Sequence, residues 1–132
     1  MKSLTIGKLA KKAGVNIETI RYYERRSLIP KPHCRESGYR EYSEDMVTRI
    51  QFIKHAQDLG FSLKEIQELL LLRLDPKTSC SKVKSRTEQK IEDIENKIKS
   101  LQRMKKALVK LTKACSGKGP VTECPILEAL EK

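Results

Sequence analysis

Cysteine is the residue type in this chain best suited to specific chemistry, and it occurs at Cys34, Cys80, Cys115 and Cys124. Cys115 and Cys124 bracket the stretch CSGKGPVTEC, in which Gly117 and Gly119 permit the backbone angles that turn both thiols toward one point. Lys113 and Lys118 lie beside them and favour the thiolate. Cys80 opens a long stretch free of proline and glycine, and a cysteine in a first helical turn meets the positive end of the helix dipole. In a reducing compartment such cysteines point to metal or redox chemistry rather than to disulfides. Thiolate sulfur is a soft donor that selects thiophilic ions.

The supply of ligands narrows the choice. His33 and His55 are remote in sequence from the three later cysteines. Structural zinc sites usually take four protein ligands. Three thiolates with no evident fourth ligand point instead to an ion content with three sulfurs, Hg(II) first, with Cd(II) and Pb(II) next. Cys34 stands apart and reads as an incidental thiol. There is no Cys-x-x-Cys and no βαβ pattern, so the sequence does not read as a thiol-dependent enzyme.

A long helix must position these thiols. Between Ser79 and Ala114, Ile91, Ile94, Ile98, Leu101, Met104 or Lys105, Leu108 and Leu111 recur at spacings of three and four, the seam of a coiled coil. Such a helix is about 52 Å long, so Cys80 and Cys115 of one chain lie at opposite ends of it. Antiparallel pairing of two copies brings Cys80 of one subunit beside Cys115 and Cys124 of the other. A homodimer then holds up to two sites, each with three cysteines and one ion.

The N-terminal part reads differently. Thr5 caps a helix whose apolar face is Ile6, Leu9, Ala10 and Ala13, and Gly14 ends it. Asn16 caps a second helix with Ile17 and Ile20 inward and Thr19, Arg21, Tyr22, Arg25 and Arg26 outward. Two short helices joined by a tight turn form a helix-turn-helix, the second helix presenting a basic face. SLIPKPHCRESGYREY then predicts a strand, a turn and a strand, a wing that offers Arg35, Tyr39 and Arg40 to phosphates, while Tyr42 packs inward. Ser43 opens a third helix with Met46, Ile50, Ile53 and Ala56 as its stripe. Ser62 and Glu65 form the capping box of a fourth, whose run Leu69–Leu72 predicts burial on more than one side, and Asp75-Pro76 ends it. The expected architecture is dominated by α-helix: a winged helix-turn-helix over residues 1–75, a hinge and dimerisation coiled-coil helix over 76–114, and a metal-binding loop with a C-terminal helix over 115–132.

Charge agrees with this division. Lys and Arg number 28 against 17 Asp and Glu, a net charge of +11. The excess is concentrated in residues 1–42 and 80–132, with a near-neutral block between. A balance of this kind suits an anionic partner such as nucleic acid. No apolar run approaches the ~20 residues of a membrane span, and MKSLTIGKLAKKAG has no apolar signal core, so a cytoplasmic protein is expected.

In the order LTIGKLAKKAGVNIETIRYYERRSLIPKP, GYREY and IQFIKHAQDLGFSLKEIQELL, the sequence resembles the MerR family of metal-responsive transcription regulators over essentially its whole length. Its tail resembles the mercury-sensing branch. The resemblance implies a homodimer on a palindromic operator within an overlong promoter spacer. Without metal the promoter is held in an unproductive shape with RNA polymerase present; Hg(II) bends and untwists the DNA, and transcription begins. It implies DNA contacts at Arg21, Tyr22, Tyr39 and Arg40, with Thr19 and Lys8 as further contacts and Tyr23 in packing. It implies metal ligands at Cys80, Cys115 and Cys124.

Overall fold

Local capping signals set the first turns of the fold. In the computed structural model, which describes residues 3–34 and 40–132, Thr5 precedes helix α1 (Ile6–Ala13) and accepts a hydrogen bond from the Lys8 amide. Gly14 ends α1 at φ 73°, in the left-handed region where a side chain would be strained. Two residues later Asn16 caps helix α2 (Ile17–Arg25), its Oδ1 accepting from both the amide and the hydroxyl of Thr19 at 2.8 Å. This is the expected helix-turn-helix.

Three short strands follow the sheet order β1-β3-β2. Strand β3 (Arg40–Ser43) is central and pairs antiparallel with β1 (Ser3–Leu4), in register Ser3 with Ser43, and with β2 (His33–Cys34), in register Cys34 with Arg40. β2 and β3 are the strands of the expected wing, whose turn lies outside the described residues; β1 was not foreseen. The pairing also corrects the start of the next helix. Ser43 is held in β3 by Ser3, so α3 (Asp45–Asp58) begins after Glu44, without a side-chain cap.

Helix α4 (Leu63–Leu74) has the expected capping box. The Glu65 amide donates to Ser62 Oγ at 3.2 Å, and Glu65 Oε1 accepts from the Ser62 amide at 2.8 Å. One core joins these elements, with Leu9, Ile20, Leu28, Ile29, Ile50, Ile53 and Ile66 fully buried. One expectation fails here and another holds in part. Ile17 is exposed, because the first turn of α2 lies past the edge of a core that takes Ile20 and Tyr23 from this helix. In the run Leu69–Leu72 of α4, Leu70 is buried and Leu69 and Leu72 are half-buried, but Leu71 is 68% exposed, so within one chain one face of the run stays open.

Helix α5 runs unbroken from Cys80 to Ala114. A short 3-10 turn (Val121–Glu123) and helix α6 (Pro125–Glu131) follow it, Pro125 taking the first helical position where its missing N–H costs no hydrogen bond. The chain divides into two compact units, Met1–Lys84 and Ser85–Lys132. The expected hinge region falls in the first unit, and the tail shares the second with most of α5.

Candidate nucleic-acid interface and metal centre

In the first unit, the surface of α2 is built on four hydrogen bonds that fix the helix and its exit. Tyr23 is buried and donates its hydroxyl to Gln57 Oε1 at 2.6 Å. Burial, then the carboxylate of Asp58, pushes the Tyr23 phenol above its ordinary pKa, so this donor persists further into alkaline pH than an exposed tyrosine's. The Tyr42 hydroxyl donates to Glu24, and both are buried. Past the helix, Arg49 Nε donates to the Leu28 carbonyl at 2.9 Å and Gln67 Nε2 to the Arg26 carbonyl at 2.8 Å. Between these carbonyls Ser27 holds φ 59°, a turn that few residues other than glycine adopt.

The outer face of α2 has the chemistry of a phosphate-binding surface. Arg21 is exposed and forms an ion pair with Glu18 at 3.3 Å; Tyr22 is 40% exposed. Arg25 lies 6.0 Å above the Tyr22 ring, within reach of a cation–π contact. Arg25 thus joins the candidate contact residues, and its three-residue spacing from Tyr22 in a helix is the sequence signal for this stacking. Thr19 is half-buried, its hydroxyl engaged by Asn16, and Lys8 is exposed on α1. Arg35 and Tyr39 lie outside the described residues; Arg40 is described as part of the backbone of β3.

In the second unit Cys115 and Cys124 are neighbours. Cys124 is the residue preceding α6, and its sulfur faces the amides of Leu127 and Ile126 without completing a capping bond of full geometry. The Cys115 side chain acts on it in the same direction as these amides. Together these groups, the Leu127 amide foremost, lower the Cys124 pKa below the ordinary thiol value, against a smaller opposing effect of desolvation and of Glu128. Gly117 at φ 80° and Gly119 at φ 100° bend the loop between the two cysteines. Both thiols are half-buried and reduced; Cys80, at the start of α5, is exposed and reduced. Among the described residues no three Cys, His, Asp or Glu side chains of one chain gather as a metal site. The two converged thiols fit a thiophilic ion that draws a further ligand from elsewhere.

Along α5, Ile91, Ile94, Ile98, Leu101, Met104 and Leu108 are all exposed in the single chain. A continuous apolar stripe of this length marks an interaction surface. Among the described residues no helix is long and apolar enough to cross a membrane.

Comparison with known proteins decides the family. The family model "MerR HTH family regulatory protein" matches residues 4–72, and "MerR, DNA binding" matches residues 47–111. The chain belongs to the MerR family. This MerR-family chain is 48% identical to a mercuric resistance operon regulatory protein of Bacillus cereus, over 96% of each chain. It is similar in structure to the regulator MerR of Bacillus megaterium in complex with mercury(II), at 45% identity and a TM-score of 0.72, covering 98% of this chain and 100% of that one. It is also similar to a transcription regulator of Ralstonia metallidurans in complex with lead(II), at 33% identity and a TM-score of 0.86, covering 96% and 98%. As a MerR-family member it is a DNA-binding transcription regulator and not an enzyme.

Proposed function

We propose that this MerR-family regulator senses Hg(II) and switches a mercury-resistance promoter. The convergence of Cys115 and Cys124 at the start of α6 is the observation on which this reading rests. Cys115 and Cys124 offer a soft pair of sulfur ligands, the Cys124 thiolate favoured by its amide donors, and an antiparallel partner supplies Cys80 as the third. The exposed stripe from Ile91 to Leu108 is the seam of that homodimer, which covers it. Each dimer holds up to two such sites, one ion in each.

On DNA, Arg21, Tyr22 and Arg25 of α2 enter the operator, with Lys8 and Thr19 beside them and the wing residues Arg35, Tyr39 and Arg40 on the flanking backbone. The dimer represses without metal. Because a three-thiolate site spans both subunits, Hg(II) biases their relative angle by its differential affinity for the two arrangements. The DNA between the half-sites is then distorted, and RNA polymerase, already at the promoter in the cytoplasm, starts transcription.

A lead(II), cadmium(II) or zinc(II) sensor of the same family is the second reading, favoured by the likeness to the lead(II)-bound regulator. Titration of the reduced dimer with Hg(II), Cd(II), Pb(II) and Zn(II) against excess competing thiol separates the two. Selective retention of Hg(II), lost in Cys80→Ser, is the expected result. Equal or tighter retention of another ion reassigns the effector, and retention unchanged in Cys80→Ser removes the three-cysteine site.

A further inference from the structure

Helix α5 has a second stripe that the seam does not use. Lys99, Arg103, Lys106, Lys110 and Lys113 recur at spacings of four and three, all exposed. At 3.6 residues per turn they centre roughly 160° round the helix from the apolar seam. A helix paired through the seam therefore leaves them facing outward. Residues 96–122 contain eight Lys and Arg and no Asp or Glu. Lys99, Lys106, Lys110 and Lys113 have no ion-pair partner among the described residues, and Arg103 reaches only Ser100 Oγ. Like charges at these spacings destabilise a helix. The same face toward the start of α5 bears Glu88, Glu92 and Glu95 instead, so cation repulsion is confined to the second half.

We propose that this stripe is a second DNA-contacting surface, which binds the phosphate backbone of a duplex without reading its sequence. It extends about 21 Å, the length of roughly six base pairs of duplex. No aromatic or apolar side chain interrupts it, and lysine is depleted from protein interfaces, which favours phosphates over a protein partner. A membrane surface would also require the apolar stripe, which the seam occupies. The inference rests on membership of a DNA-binding family and on the homodimer seam proposed above, and is independent of which metal is sensed.

The test is the salt dependence of binding of the full-length protein to a duplex lacking the operator, between 50 and 200 mM salt. With one stripe per duplex, the triple variant Lys99→Gln, Lys106→Gln, Lys110→Gln should flatten the slope of log K against log salt by about 2.7, and the single Lys106→Gln by about 0.9. The corresponding triple Lys→Arg variant should keep the wild-type slope. An unchanged slope in both Gln variants overturns the proposal and leaves a solvated face. An unchanged slope accompanied by lost capture of a poly-glutamate peptide also overturns it, assigning the stripe to an acidic protein surface. If the triple variant loses helicity, the single variant decides.

Discussion

At the scale of the residue, the chemistry of the tail rests on Cys124. Because amide donors lower its pKa, the thiolate persists to lower pH than in an ordinary cysteine. Metal displaces a proton from each thiol, so at Cys124 the proton competes less well with the ion as the pH falls. Site-resolved alkylation of the metal-free protein against pH should place the Cys124 midpoint below that of free cysteine; a midpoint at or above it removes the role of the α6 amides. A second residue-scale outcome concerns α2. Tyr42→Phe deletes the buried bond to Glu24 and should cost about 1–3 kcal/mol, measured by urea denaturation. That Cys115 and Cys124 are neighbours was legible from the short glycine-containing loop between them, whereas the role of Cys80 rests on a partner chain. The Tyr42 partner was not legible, since Glu24 is far from it in sequence and reads as one more charge on a basic helix.

At the scale of the element, what is local in sequence was readable. Thr5, Asn16 and Ser62 cap helices through bonds spanning three residues, and each stands where its sequence context predicts. Ser62→Ala should therefore lower stability by about 1 kcal/mol in thermal or chemical unfolding. β1 was hidden for the opposite reason. Two residues have no periodicity, and Ser3 becomes strand only by meeting Ser43. The same pairing displaced the expected start of α3. The seam of α5 was legible as a pattern, and its exposure in one chain agrees with a need for cover. Leu101→Asp should convert the dimer to monomers in analytical ultracentrifugation, because an unpaired carboxylate in an apolar seam is costly to bury.

For the molecule as a whole, the central expectation is that neither chain alone completes a metal site. A mixed dimer of a Cys80→Ser chain with a Cys115→Ser, Cys124→Ser chain should regain one Hg(II) against competing thiol, although each homodimer retains none. Half-occupancy would establish ligands drawn from both subunits, whereas no recovery would place the third sulfur elsewhere. The sequence suggested this arrangement only through helix length, since rise per residue fixes how far apart the ends of α5 lie.

The tail that contains Cys115 and Cys124 follows α5 as a loop and one short helix, within the unit that excludes α2 and its partners. With Cys80 kept, a lineage would change its effector by revising a handful of codons in this loop and helix. Residues that recognise the operator would be inherited intact, and an ancestral promoter could come to answer a different toxic ion without being rewritten.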